Sequence, residues 1–598
     1  MSLEVNKKVE ILKKKSYKSL LLSLWKYIPL MRKRKILLLL IVTIMASIAE
    51  ILSLATVVPF LIGLSNPESL WDIDFIRNIG LSLNLELATD LRLPLTLVFI
   101  FFACLAAFIK LFSSYINRSW AAQLGADLSS KIYEGVLYQS YEEQLKTETS
   151  EIITAVLSDI QAIINGVINP ILNLCNSFVI LLGIIFTLLY VSWIKSFISG
   201  SIIFLIYLIS LFATRSSLAK YGESIPKLRR QVVENIQLAM GAIRDVILNS
   251  NQKYYYELHN QIDRKIRVTQ PKMFLLQTFP RSLIEPAGIA VISIVGLIFI
   301  SRGSFEEAIP LIGALALGAQ KILPYSQKIY EALSGLNGAK PTLARVLIHL
   351  KKNDLSSIRK FEVPIKISFK ESIVFKNVSF KYSMNSPWVL KNINLEIKKG
   401  ERVGIVGVTG GGKSTLTDLI MGLLSPTSGQ IFIDGVELNQ QINPNLITSW
   451  RRLISHVPQN IYMSNSTIRE NIAFGEEPKE INMDKVKIAA QSAEISEYIE
   501  QTSQKYFSMV GERGIKLSGG QRQRIGIARA LYKECSLLVF DEATSALDSG
   551  TESKIINTIN KISKEITVIT IAHRISTIEK CNRIITIDNG KIILNKLN

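Results

Sequence analysis

Apolar stretches long enough to span a lipid bilayer crowd the chain before about residue 330 and are missing after it. A hydrocarbon layer about 30 Å thick takes about 20 consecutive apolar residues per helical crossing. Inside it, only helices or closed barrels keep every backbone polar group satisfied. At 598 residues, with 48% of them hydrophobic and a mean hydropathy of +0.28, the chain exceeds one core and is too apolar for an ordinary soluble protein. A helical membrane half followed by a soluble half is therefore expected.

The net charge of +20 could suggest nucleic acid. However, Lys7, Lys8, Lys13, Lys14, Lys15, Lys18, Lys26, Arg32, Lys33, Arg34 and Lys35 crowd the start, beside the first apolar span. Such placement follows the positive-inside rule and attraction to anionic headgroups, and no nucleic-acid-reading module accompanies it. Cys104, Cys175, Cys535 and Cys581 are scattered without a CxxC, which predicts reduced packing residues and no metal site. The first apolar span is too long for a signal core, so it is expected to remain as a membrane helix.

The segment around Leu20 to Leu30 mixes Trp25, Tyr27 and Ile28 with Lys, which suits an amphipathic elbow on the inner face. The expected spans are Ile36 to Leu64, Leu93 to Ile116, about Ile163 to Val191, Phe197 to Phe212, about Leu283 to Ile300 and Ala308 to Leu323. The acidic connector from Ser65 to Arg92 reads as an outside loop, with Trp71 to Ile79 at the spacing of a short helix on the outer leaflet. Polar helical stretches at Asn117 to Ala162 and Thr214 to Lys272 are long enough to project into the cytosol at about 1.5 Å per residue. Six crossings leave both termini in the cytosol. The expected division is an elbow region at 1–35, a transmembrane domain at 36–339, a linker at 340–371 and a soluble domain at 372–598.

In the soluble part, "ERVGIVGVTG" is a strand running into a glycine loop and "LLVFDEA" is a second strand, which predicts an α/β core. Gly407-Val-Thr-Gly410-Gly411-Gly412-Lys413-Ser414-Thr415 fits the P-loop pattern between a strand and a helix. Its glycines let N–H groups curl around phosphates, Lys413 adds a point charge, and Ser414 offers a hydroxyl to Mg²⁺. Asp541 and Glu542 end the second strand, Asp541 placed to hold Mg²⁺ and Glu542 to activate the attacking water. Leu517-Ser518-Gly519-Gly520-Gln521 opens the helix "RQRIGIARAL", whose N-terminus makes an anion site for a γ-phosphate.

That pentapeptide resembles the signature of ATP-binding cassette (ABC) transporters. Tyr382 in "FKY", Gln459 in "VPQN", Asp548 ending "SALD" and His573 in "IAHR" match further family positions. The resemblance implies ATP and Mg²⁺ as cofactors. It also implies Tyr382 stacked on adenine, Gln459 reaching Mg²⁺ and acting with Glu542 and His573 in catalysis, and Asp548 in the nucleotide site. "VGERG" at Val510 to Gly514 resembles the stretch by which exporters touch their intracellular helices, and coupling is expected around Tyr138 to Lys146 and Gln237 to Asp245. Because the family completes each ATP site with the signature of an opposite subunit, one P-loop and one signature per chain imply a homodimer. The implied fold is that of an exporter: an all-α polytopic membrane domain of six transmembrane helices with long cytosolic extensions, then an α/β P-loop NTPase domain.

For cargo, the ionisable residues in or near the spans matter most: Glu50, Lys110, Arg281, Glu285, Lys321 and Lys328. Lys110, Arg281, Lys321 and Lys328 would ring a shared cavity suited to an anionic headgroup. Alternatively, Lys110 and Lys328 snorkel to the interface and Arg281 pairs with Glu285 one turn on. "IAEILSLATVVPFLIGLSNP", "PRSLIEP" and "LALGAQKILPYSQKIYEAL" resemble bacterial flippases for lipid-linked oligosaccharides of the protein-glycosylation type. This implies a polyprenyl diphosphate-linked glycan as substrate, membrane lipids as partners and the bacterial inner membrane as location. A multidrug or lipid exporter, a peptide exporter, a soluble cassette ATPase and an ATP-gated channel are the competing readings.

Overall fold

The computed structural model describes residues 16–597 except 83, 192, 301–304, 353–366, 440–441, 443, 542–549, 552, 556–564 and 572–580. The chain divides into two units, one of residues 1–139 and 144–354, the other of residues 140–143 and 355–598.

The first unit is helical. An elbow helix, α1 (Tyr17–Tyr27), buries Leu20 and Leu24. The first span divides into α2 (Leu30–Ala55) and α3 (Val57–Ser65), where one continuous helix was expected. Pro59 supplies the reason: its ring clashes with the carbonyl four residues back, that of Ala55, yet is tolerated in the first turn of a new helix. The outside connector likewise holds two short helices, α4 (Pro67–Trp71) and α5 (Asp74–Ser82). A Cβ on Gly80 would lie 2.7 Å from Trp71, so the missing side chain admits the indole and lets the pair fold back. Ile73, Phe75 and Ile79 remain exposed.

Long rods follow. α6 (Arg92–Leu137) leads to α7 (Tyr141–Leu145) and α8 (Thr149–Ile153). The helical path then continues through π-helical Thr154–Asp159, α9 (Ile160–Ile163), π-helical Ile164–Ile168 and α10 (Asn169–Val191). After these come α11 (Trp193–Gly241), α12 (Ile243–Leu248), α13 (Gln252–Ile300) and α14 (Phe305–Lys352). Among the described residues, Leu30–Ser65, Ala88–Leu137 and Thr149–Phe186 are long and apolar enough to cross a membrane, with mean hydropathies of 2.5, 2.5 and 1.9. The other expected spans fall on α11, α13 and α14, many of whose side chains lie outside the described residues.

Small residues let the rods touch: a Cβ on Gly222 of α11 would lie 2.1 Å from the Gly338 carbonyl oxygen of α14. Arg345 of α14 forks onto the buried Asp159 with contacts of 3.0 and 2.9 Å. α14 also runs on to Lys352, through residues expected as linker, with Leu343, Ala344, Val346 and Leu347 buried in the unit's core. Their spacing makes an apolar helical stripe, and packing overrides the polar composition around it.

The second unit has two sheets. Antiparallel strands order β2-β1-β4-β5, from β1 (Ser372–Phe380), β2 (Leu390–Lys398), β4 (Ser428–Ile433) and β5 (Val436–Glu437). The larger sheet orders β10-β9-β3-β8-β7-β6, from β3 (Arg402–Gly407), β6 (Ile454–Val457), β7 (Leu537–Asp541), β8 (Thr567–Ile571), β9 (Arg583–Asp588) and β10 (Lys591–Leu597). β6, β7, β8, β3 and β9 pair in parallel and β10 closes one edge antiparallel. Strands buried on both faces read as apolar runs, as Leu537 to Phe540 do.

Candidate nucleotide site and membrane cation cluster

The central sheet positions the nucleotide chemistry. Asp541 pairs in register with Ile571, which pairs in turn with Ile405. Asp541 therefore ends its strand two strands, or about 10 Å, from the strand that feeds the P-loop. Gly407 closes that strand and α15 (Lys413–Ile420) begins after Gly412, whose φ of 105° favours glycine. Lys413 is nearly buried, its Nζ donating to the Gly407 and Val408 carbonyls at 2.8 and 3.1 Å. Ser414 is exposed in the first turn of α15, and Thr415 is buried.

Tyr382 sits edge-on to Phe380, ring centroids 5.0 Å apart, and its hydroxyl lies 3.1 Å from Thr415 Oγ1. Gln459 is exposed just beyond β6. Glu542, Asp548 and His573 lie outside the described residues. Residues 140–143, from the first expected coupling segment, belong to this unit, and Tyr141 packs against its core. Burial first, then the Asp418 and Tyr382 charges, push the Tyr141 phenol up. Asp418, which the motif reading passed over, is itself pushed up to about 6 by burial and the neighbouring Asp541.

The signature begins α20 (Gly519–Tyr532), and α16 to α19 are Pro444–Arg452, Ile468–Ile472, Met483–Ser492 and Ser496–Gln501. Ser518 and Gln521 form a capping box: Ser518 Oγ accepts from the Gln521 N–H at 3.2 Å, and Gln521 Oε1 accepts from the Ser518 N–H at 2.8 Å. The S-x-x-Q spacing carries that signal in the sequence. The hydroxyl hydrogen of Ser518 stays available for an anion while its oxygen caps the helix. Ser518→Ala is expected to cost about 1 kcal/mol of stability, read as a lower thermal midpoint with faster amide exchange at the start of α20. The VGERG stretch exposes Glu512 and Arg513, with Ile515 beyond it 79% exposed.

Comparison with known proteins matches residues 390–545 to the family "ABC transporter" and residues 34–312 to "ABC transporter transmembrane region". An ATP-dependent lipid A-core flippase of Desulfotalea psychrophila is 32% identical over 483 residues, 78% of this chain and 80% of that one. The chain is an ABC transporter. The heterocyst differentiation ATP-binding protein HepA of Nostoc sp. is 30% identical over 81% of this chain and 77% of its own. A leukotoxin translocation ATP-binding protein of Mannheimia glucosida reaches 46%, but over only 38% of this chain and 32% of that one. A bacterial Atm1-family ABC exporter solved with ATP bound superimposes with a TM-score of 0.72 at 22% identity, covering 94% and 95% of the two chains. The transporter has the exporter fold, with fused membrane and ATP-binding parts, and couples ATP hydrolysis to export across a membrane in which it is integral.

In the membrane unit of the transporter, two of the four basic residues expected to ring a cavity converge. Lys110 of α6 and Lys328 of α14 each place Nζ 5.3 Å from the Tyr325 ring centroid. Lys110 Nζ also lies 3.5 Å from Oε1 of Glu50, a residue of α2. Each lysine thus has an aromatic face as partner, and Lys110 a carboxylate as well. Tyr325 escaped the sequence reading, although it stands one turn before Lys328, the spacing at which two side chains share a helix face. The side chains of Arg281, Glu285 and Lys321 lie outside the described residues.

Proposed function

We propose that the transporter works as a homodimer in a bacterial cytoplasmic membrane, both termini and cassettes in the cytoplasm. There it flips an anionic lipid-linked glycan of the polyprenyl diphosphate class. The observation that carries this reading is the pair of lysines gathered on Tyr325 within the membrane unit. Cations held away from water are costly unless a cavity or an anion meets them. A likeness to a lipid A-core flippase over 78% of this chain supports the same class of cargo.

Dimerisation has its own support. Around α12, in the second expected coupling segment and beside it, Leu238, Met240, Ile243, Ile247 and Leu248 are exposed large apolar side chains, a surface suited to a second cassette. One signature and one P-loop per chain call for the same partner. ATP closing both composite sites would draw the cassettes together, and the segments at Tyr138 to Lys146 and Gln237 to Asp245 would relay closure to an alternating-access cavity.

Mg²⁺ fits the residues present. Asp418 is raised to about 6 by burial first and by the Asp541 charge second, and a divalent cation would relieve the repulsion between the two carboxylates. Ser414, Gln459 and Asp541 would hold the ion, which supplies charge neutralisation on the β- and γ-phosphates. Lys413 would exchange its loop carbonyls for phosphate oxygens, Tyr382 would stack on adenine, and Glu542, assisted by His573, would accept the proton of the attacking water.

The test is ATPase stimulation in phosphatidylcholine vesicles by a polyprenyl diphosphate glycan. Lys328→Ala is expected to raise the half-maximal lipid concentration about tenfold, about 1.4 kcal/mol. Strong stimulation by neutral hydrophobic drugs with none by the anionic lipid overturns the cargo assignment.

A further inference from the structure

The helical path from the first coupling segment into the third expected span is not uniformly α. Thr154–Asp159 and Ile164–Ile168 are π-helical, and only α9 separates them. A π stretch carries a residue more than an α-helix needs to join the same ends, and such insertions are frequent at functional sites.

The two stretches are held differently. The second is gripped from both sides: Val167 and Ile168 are buried, a Cβ on Gly166 would lie 2.7 Å from Cβ of Ala339 on α14, and one on Gly125 of α6 would lie 2.1 Å from Ile164 Cδ1. The first is held firmly at its C-terminal end and loosely at the other. Asp159, its last residue, has a side chain only 5% exposed and accepts the bidentate fork of Arg345, which also reaches Thr342 Oγ1 at 3.2 Å. Before the stretch, Glu151 Oε1 lies 3.7 Å from His349 Nε2, a contact charged on both sides only when the imidazole is protonated. Within it, the Val156 carbonyl accepts a long 3.4 Å bond from Ser129 Oγ of α6, and Leu157 stands 67% exposed. Leu157 therefore loses little buried surface when that turn rewinds.

Position gives the asymmetry a use. Residues 140–143 belong to the cassette unit and Asp159 to the membrane unit, so the chain passes from one to the other through α7, α8 and the first π stretch. A cassette that closes on ATP carries its coupling segment with it. Rewinding one surplus residue into α against a fixed Asp159 would turn the preceding helix by about 100° and shift it by about 1.5 Å. The rod beyond Asp159 need not turn.

We propose that Thr154–Asp159 is a swivel between the cassette and the membrane rods: it passes between π and α windings as the coupling segment follows its cassette, while the Arg345–Asp159 fork keeps the rod beyond it in register. The inference rests on the reading above that the segment at Tyr138 to Lys146 relays closure, and adds where the turning is absorbed and what anchors it.

The experiment follows amide hydrogen exchange in the full-length transporter in phosphatidylcholine vesicles, with and without Mg²⁺ and a non-hydrolysable ATP analogue. The analogue is expected to slow exchange at Val156 to Asp159 at least about fivefold, as the α winding closes i→i−4 bonds there, and to leave Ile164 to Ile168 unchanged. Deletion of Leu157 removes the surplus residue and lets a regular helix join the same ends. It is expected to keep the thermal midpoint and analogue binding, to lose the exchange response, and to lower ATP turnover at least about tenfold, since the cassettes then close only by turning the whole rod. Leu157→Ala keeps the residue count and is expected to turn over ATP as the wild type does.

A deletion variant that hydrolyses ATP at the wild-type rate overturns the inference. Equal loss in Leu157→Ala does so too, because the side chain and not the winding would then be the cause. A wild type in which the analogue slows exchange at Tyr141 to Leu145 but not at Val156 to Asp159 removes the swivel and leaves the relay standing. No response at either place overturns both. Should the deletion fail to assemble, the exchange pattern of the wild type decides.

Discussion

Glu542→Gln is expected to lower ATP turnover by about 10²- to 10⁴-fold, the usual contribution of a positioned general base, and to stop transport with it. Asp541 ends β7 in register with Ile571 at the edge of the sheet where the P-loop begins, and Glu542 is the next residue in the chain. The exchange keeps the size of the side chain and removes only its capacity to take a proton, so ATP binding is expected to persist. Phosphate release and ATP binding measured on the same reconstituted sample separate the two. A fall in turnover of less than about tenfold assigns the base elsewhere, and cargo movement continuing without turnover would exclude a pump.

The second large effect is on stability. Gly407→Ala is expected to destabilise the cassette by about 3 kcal/mol or more, combining overpacking with backbone strain. A Cβ there would lie 2.0 Å from the Ile587 carbonyl oxygen on the neighbouring strand β9, and the φ of 153° is one that side chains rarely adopt. Gly410 is the control. Its φ is 79° but nothing lies within 4 Å of an added Cβ, so Gly410→Ala is expected to cost about 1–2 kcal/mol, the backbone share alone. Thermal unfolding of the two variants side by side reads the difference, and equal losses would remove the strand contact as the cause. The two glycines serve one motif for different reasons: Gly410 for the turn around phosphate, Gly407 so that β3 can lie against β9.

Much of the site was legible because its parts are local. A P-loop is a strand, a turn and a helix start within a dozen or so residues, and the Ser518–Gln521 capping box spans one helical turn. Apolar length likewise announced the first spans. The break after Ala55 was legible in principle, since Pro59 carries it, while the helical run to Lys352 was hidden by a mixed composition that only packing interprets. Asp418 went unnoticed because its perturbation comes from burial and from Asp541, a residue far away along the chain.

The cation cluster marks the boundary most clearly. Glu50, Lys110 and Lys328 could each be singled out from the sequence as ionisable groups in or near apolar spans, because the cost of a charge in lipid depends only on the group and its surroundings. Whether each snorkels, pairs or faces a cavity depends on distances among three helices remote in sequence. The tertiary structure decided which groups meet, setting Lys110 and Lys328 on Tyr325 and Glu50 on Lys110. ATP chemistry and a membrane-spanning helical half follow from short-range patterns in the amino-acid order. Which charges stand together follows from helix packing, since Coulomb interactions are set by separation in space.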